Sequence, residues 1–279
     1  MERRSFLEKV CIASAATILP SALFKKGKGI VFEQTDVEGV GVGISVCDTL
    51  SNGFFGRQLI SVYGPENGFI EAFLIHTFLY QLIAQRKRVD YISSTGSLKR
   101  GEQSYLRRFG FSTTDEMRKS LTKSGIIDNL RIIEIYPYEQ NWKDYVAQAK
   151  EQHPDSIIVD DIKFIEGYFR EKGMVKQLKL LAAEVQAPVF VHAELNRKRS
   201  QGHLTAYSLR KDFDQGSDVL ISVVPKHVID FKVDGITVGK RFLLDLKLIG
   251  VSCPCALHRS YGGVFPIEFV DYELRFAGL

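Results

Sequence analysis

The sequence is short of the residues that staple small secreted folds or build metal centres. Only four cysteines occur, Cys11, Cys47, Cys253 and Cys255, and their placement does not read as a disulfide framework. Cys253-Pro254-Cys255 is too tight for an ordinary zinc pair, and no second Cys/His pair stands at ligand spacing. The six histidines, His76, His153, His192, His203, His227 and His258, are scattered, so no structural metal is expected. Excess charge of one sign is also lacking. Lys and Arg number 37 against 33 Asp and Glu, a formal net charge of +4, too small to argue a nucleic-acid partner by itself. There is no internal repeat, no low-complexity tract and no linker that would split the body of the chain. A composition of 45% hydrophobic and 25% charged residues excludes a disordered or fibrous protein.

What is present is one long globular stretch behind a short leader-like segment. Residues 1–30 form the N-terminal segment, and 39–279 suffice for a single α/β domain of roughly 250 residues. Residues 2–9 read E-R-R-S-F-L-E-K, followed by an apolar run from Val10 to Phe24, broken by Pro20, and then Lys25-Lys26. A basic start before a short apolar stretch is the pattern of an export signal, and Arg3-Arg4-Ser5-Phe6-Leu7 resembles the twin-arginine signal. Against that stand Glu2, Glu8 and the lack of an A-x-A cleavage site. The run is too short to read as a membrane span. The other reading is a packing helix over Phe6 to Leu19, so an exported and a cytoplasmic protein both remain open.

From about Gly39 apolar runs alternate with helical periods. Strands are expected at Leu59–Tyr63, Val89–Ser93, Leu130–Tyr136, Ser156–Val159, Pro188–His192 and Asp218–Val223. Helices are expected at Phe69–Arg86, Leu98–Phe109, Thr113–Ser124, Asn141–Gln152 and Met174–Val185. A β-rich tail follows, with segments near Val228–Val233, Phe242–Ile249 and Val264–Phe269, expected to run antiparallel and either extend the sheet or form hairpins. Continuous apolar strands separated by helices mean a mainly parallel sheet covered on both faces. In such sheets the ligand crevice lies at the carboxyl ends of the strands. The turn after Tyr63, the strand end at Asp160 and the loop after His192 should therefore meet on one edge.

Strand, glycine turn Gly64-Pro65-Glu66-Asn67-Gly68 and long helix form the skeleton of a phosphate-binding loop. Upstream, Gly43 to Leu59 reads G-I-S-V-C-D-T-L-S-N-G-F-F-G-R-Q-L. Downstream come Ile157-Ile158-Val159-Asp160 and Gln177 to Arg197, Q-L-K-L-L-A-A-E-V-Q-A-P-V-F-V-H-A-E-L-N-R. Then follow Leu209-Arg210, Asp214-Gln215-Gly216-Ser217-Asp218-Val219, and His258-Arg259-Ser260-Tyr261-Gly262-Gly263 with Phe269 and Arg275-Phe276. In this order the pieces resemble the RecA-like ATPase domain of DnaB-type replicative helicases: its lead-in, its Walker B strand, its S-Q-L-N-R stretch and its closing K-N-R-x-G-x-x-G and R-F elements. RadA- and KaiC-type proteins share the earlier pieces. The resemblance implies a RecA-like P-loop fold, an α/β architecture with a mainly parallel sheet flanked by helices.

The residues that would work on ATP are replaced. A functional loop is G-x-x-x-x-G-K-[ST], whose lysine neutralises the phosphates and whose hydroxyl holds Mg²⁺. With Gly68 as the last glycine, Phe69 takes the lysine position and Ile70 the hydroxyl position. No Lys or Arg occurs from Gln58 to Gln85. Glu66 and Glu71 stand where the triphosphate would lie, and like charges about 4 Å apart repel by several kcal/mol at intermediate dielectric. The degenerate loop is thus Gly64, Pro65, Gly68, Phe69 and Ile70. By resemblance the catalytic glutamate falls on Thr95, the closing lysine on Leu257 and the glutamine of S-Q-L-N-R on Glu194. Asp160, Asn196, Arg197 and Arg259 survive. The resemblance gives Asp160 a place in the magnesium water shell and Arg259 a reach to a neighbour's γ-phosphate. Metal, lysine and water-positioning base act as a unit, so hydrolysis at background and no cofactor are expected.

In the hexameric helicases that the sequence resembles, the loops after a strand such as Pro188–His192 touch single-stranded DNA. Here that region supplies Arg197, Lys198, Arg199, Tyr207, Arg210 and Lys211, basic residues with an aromatic among them, which suits backbone tracking with stacking. The expected partner is single-stranded DNA or a helicase-type protein, with a homo-oligomer left open. Two other readings stay open: an ATPase whose lysine arrives from elsewhere (Lys99 or Lys163), binding ATP and Mg²⁺, and an exported protein that reuses the fold.

Overall fold

The computed structural model describes residues 37–64, 67–93, 119, 122–123, 125–134, 139–160, 173–193, 211–233, 236–250, 263–270 and 275–278. Its frame is a nine-stranded sheet in the order β3-β2-β4-β5-β1-β6-β7-β8-β9. The strands are β1 (Leu59–Tyr63), β2 (Val89–Ser93), β3 (Leu130–Glu134), β4 (Ser156–Val159), β5 (Val189–His192), β6 (Val219–Val233), β7 (Ile236–Gly250), β8 (Gly263–Val270) and β9 (Arg275–Gly278). From β3 to β6 all neighbours run parallel, and from β6 to β9 all run antiparallel.

Every residue of β1 is buried, because the sheet is covered on both sides. Side chains alternate along a strand. Ile60 and Val62 therefore join one core cluster with α2 (Asn67–Leu79), while Leu59 and Tyr63 join another with α3 (Glu139–Gln152) and α4 (Met174–Val185). Helix α2 has no polar face. Phe69, Ile70, Ala72, Phe73, Leu74, Ile75, Phe78 and Leu79 are all buried, and their cluster takes in Val42, Ile44 and Phe54 of the lead-in as well as Leu244, Leu246 and Leu248 of β7. A helix with apolar residues on every side is stable only when enclosed, and the lead-in with its short helix α1 (Ser45–Ser51) supplies part of the enclosure.

The expected helix from Phe69 to Arg86 is not continuous. The α-helix stops at Leu79 and a π-helical turn, Tyr80–Ala84, completes it. The wider turn lets Lys87 N–H reach the Gln81 carbonyl at 2.9 Å and aims two glutamines at the lead-in. The tail extends the sheet antiparallel, with two of its expected segments merged. Asp218–Val223 and Val228–Val233 are parts of one strand, β6, because Pro225 falls at a register shift between Pro225 and His227, where a missing N–H is tolerated. Helices α1 and α5 (Lys211–Gly216) and strand β9 are additions to the sequence reading. The helix expected over Leu98–Phe109 lies outside the described residues, as does most of Thr113–Ser124.

Candidate functional site

The parallel strands bring the carboxyl ends of β1, β2, β4 and β5 to one edge, marked by Gly64, Ser93, Asp160 and Ala193, with Val223 of the longer β6 beside Gly64. Ala193 N–H donates to Val62 O at 2.8 Å, and Asp160 N–H to Ile92 O at 3.0 Å. These bonds carry the chain one residue past the ends of β4 and β5. Asp160 lies two strands from β1, about 10 Å at the usual spacing, and is 8% exposed. His192, half-buried, is in register with Val62, which faces α2. The pleat therefore puts His192 on the α2 face of the sheet, and the alternation from Ile158 puts Asp160 on the same face.

Gly64 is fixed by contact. A Cβ there would stand 2.3 Å from Val223 O and 2.8 Å from Ile70 Cδ1, so the chain can leave β1 beside β6 only without a side chain. Pro65 and Glu66 lie outside the described residues, and Gly68 is in the first turn of α2. Phe69 is 7% exposed, with its ring edge-to-face on Phe242 of β7 at 4.9 Å between centroids and 71° between planes. Ile70 is fully buried. The two residues at the tip of α2 thus turn into the core beneath β7.

A second set of residues, which the sequence reading quoted only in part, holds the lead-in against α2. Asp48 is fully buried and accepts from Val42 N–H at 2.6 Å and Gly43 N–H at 2.9 Å. Gly41 N–H donates to Gln85 Oε1 at 2.9 Å, and Gln81 Nε2 donates to Gly41 O at 2.9 Å. His76 Nε2 donates to Gly43 O at 3.1 Å, and Ser156 Oγ donates to Gln81 Oε1. Gly43 has φ +79°, and a Cβ on it would meet Tyr80 and His76. The G-x-x-x-x-D-x-L spacing is the legible signal for this arrangement, since Asp48 closes the turn begun at Gly43. His76, Gln81 and Gln85 left none, because in sequence they look like polar residues on a helix surface.

On the other face of the sheet, Asp218 accepts from Leu59 N–H at 2.8 Å and pairs with Lys179 at 3.0 Å. Ser61 and Ser217 hydroxyls share a 2.6 Å bond. Burial raises the Tyr63 phenol, offset in part by its hydrogen bond with Ser222 and reinforced by Asp214. Asp90, fully buried on β2, accepts from Tyr145 Oη at 3.1 Å and lies 3.5 Å from Arg131 Nε. Burial raises its carboxyl, and Arg131 pulls it partway back.

Of the expected site residues, Gly64, Gly68, Phe69, Ile70 and Asp160 fall at this edge. Lys211 begins α5. Pro65, Arg197, Lys198, Arg199, Tyr207, Arg210 and Arg259 lie outside the described residues, as do Thr95, Lys99, Lys163, Glu194, Asn196 and Leu257. One cation beyond the end of β1, Lys226 on β6, is paired with Asp245 at 2.7 Å. Asp245 alternates with Leu244 and Leu246, which face α2, so the pair belongs to the opposite face. Among the described residues no group of His, Cys, Asp or Glu is arranged to hold a metal, and no helix is long and apolar enough to cross a membrane.

No protein-family model and no curated protein sequence matches the chain. Among solved structures it is similar to a KaiC-like protein from the hyperthermophilic archaeon Pyrococcus horikoshii, with a TM-score of 0.59 and 12% identity over 87% of this chain and 99% of that one. At that identity the likeness is one of fold. The strand order, the shared carboxyl edge of the parallel strands and this neighbour together give the chain a RecA-like α/β fold.

Proposed function

We propose that the chain uses this nucleotide-binding fold as a binding module and does not turn over ATP. The observation that carries the reading is the tip of α2, where the aromatic ring at the lysine position is buried against Phe242. A triphosphate with Mg²⁺ needs an ammonium and a hydroxyl at that tip. Phe69 and Ile70 offer neither, and the donor set does not fit the group.

The ligand proposed is single-stranded DNA, as the resemblance to DnaB-type helicases implies. Support comes from the sequence: Arg197, Lys198, Arg199, Tyr207, Arg210 and Lys211 lie between the carboxyl end of β5 and the first residue of α5. Phosphate contacts make affinity fall with salt, with a slope of about −0.7 per contact on single strands. Four such contacts predict a loss of about 50-fold when salt is raised fourfold. Fluorescence anisotropy with a labelled oligo-dT across salt tests this. Steep salt dependence that flattens in Arg197→Ala/Lys198→Ala/Arg199→Ala is the expected result. Absent or salt-independent binding refutes the DNA ligand and leaves a helicase-type protein as the partner to test.

A further inference from the structure

Strand β6 outruns its neighbours. It pairs with β1 only from Val219 to Ser222, and β8 supports β7 only from Arg241 to Leu248. Beyond Ile229 the chain is a two-stranded ribbon, with Asp230 opposite Lys240, Phe231 opposite Gly239, Lys232 opposite Thr237 and Val233 opposite Ile236. The register shift between Phe231 and Lys232 leaves Val238 on β7 as the extra residue, so β6 stays regular from His227 to Val233. Among the described residues no strand pairs with the outer edge of β6 past Ser222.

A bare two-stranded ribbon is marginal in water, and an unpaired strand edge is a template for another strand. Natural edges are blunted by shortness, proline, bulges or charge; from His227 to Val233, β6 has no proline and no extra residue of its own, and its two charges, Asp230 and Lys232, are of opposite sign. Two of the three large hydrophobic side chains exposed in the described structure lie here, Val228 at 54% and Ile229 at 47%. Asp230 is exposed as well.

We propose that this edge pairs antiparallel with the same edge of a second copy, about a two-fold axis at Phe231. The sequence is self-complementary about that residue. Asp230 then stands opposite the partner's Lys232, and Lys232 opposite the partner's Asp230, giving two cross-strand pairs of opposite charge on one face. Phe231 stands in register with the partner's Phe231, and Ile229 with the partner's Val233, positions of the other strand face that are all apolar in sequence. An isologous contact of this kind closes at two copies, and opposite charges directly across a ladder favour the register while like charges oppose it. The pairing is independent of whatever the crevice binds.

Charge reversal tests the register. By symmetry Asp230→Lys puts two like-charge pairs into the interface, and so does Lys232→Asp. Each should weaken the dimer in sedimentation equilibrium by about tenfold, while the double variant restores parental affinity. The second readout is crosslinking. Phe231→Cys should oxidise to a disulfide-linked dimer above the parental background, because directly opposed residues lie within disulfide reach. Asp230→Cys should not, because its own copy is diagonal and about 7–8 Å away. Circular dichroism identifies any variant that fails to fold. A parent that stays monomeric at its highest soluble concentration, or a double variant no better than the singles, overturns the proposal.

Discussion

Replacing Phe69 by Ala tests whether the tip of α2 belongs to the core or to a ligand site. The ring is 7% exposed and packs edge-to-face on Phe242. Emptying such a site in a core costs about 3–5 kcal/mol, of which the aromatic pair accounts for about 0.5–1.5 kcal/mol. Phe242 is only half-buried, and a helix tip can partly collapse, so the low end applies, about 3 kcal/mol. That is a large share of the roughly 5–15 kcal/mol by which domains are stable. Urea unfolding reads it as a drop in midpoint at unchanged slope. A double-mutant cycle with Phe242→Ala should return a coupling of about 1 kcal/mol. A loss under about 1 kcal/mol for Phe69→Ala, with additive behaviour in the cycle, would refute the reasoning, since a ring projecting into an open loop costs little to remove.

Two further perturbations follow from the same packing. Asp48→Ala removes the acceptor for Val42 and Gly43 N–H and leaves two buried donors unmet; the expected loss is about 3 kcal/mol in the same urea assay, and a loss below about 1 kcal/mol would show that the lead-in does not depend on it. Asp90 has its carboxyl raised above the ordinary 3.8 by burial, with Arg131 the main opposing influence. A raised folded-state value means a contribution present in full below the ordinary range and lost as pH rises through the raised value. Relative to the parent, Asp90→Asn should therefore be least favourable in acid and improve as pH rises; a stability difference constant across pH contradicts this.

The central strands were legible because each is a short continuous apolar run, as in Leu59–Tyr63 and Ser156–Val159, and α4 was legible from its amphipathic period over Met174–Val185. Periodicity could not show that Gln81 and Gln85 are turned inward, because that depends on a loop some forty residues earlier lying beside them. In the tail, Asp218–Val223 and Val228–Val233 read as separate segments of sequence, but Pro225 stays in register with Leu244 and Lys226 takes up the shift, so the strand runs through. Asp234-Gly235, flanked by apolar alternation, was an available hairpin signal for the joining of β6 to β7. At the crevice, the sequence placed Phe69 in the lysine position by counting from Gly68. It could not reveal that a strand far along the chain brings Phe242 to cover it.

The most direct test of the central claim is calorimetric titration of the full chain with Mg-ATP. No heat of binding at millimolar nucleotide is the expected result, since the α2 tip presents a buried ring and an isoleucine to a tri-anion. Binding tighter than millimolar that disappears in Asp160→Ala would contradict it, because a working phosphate site would then exist at this edge despite the buried ring.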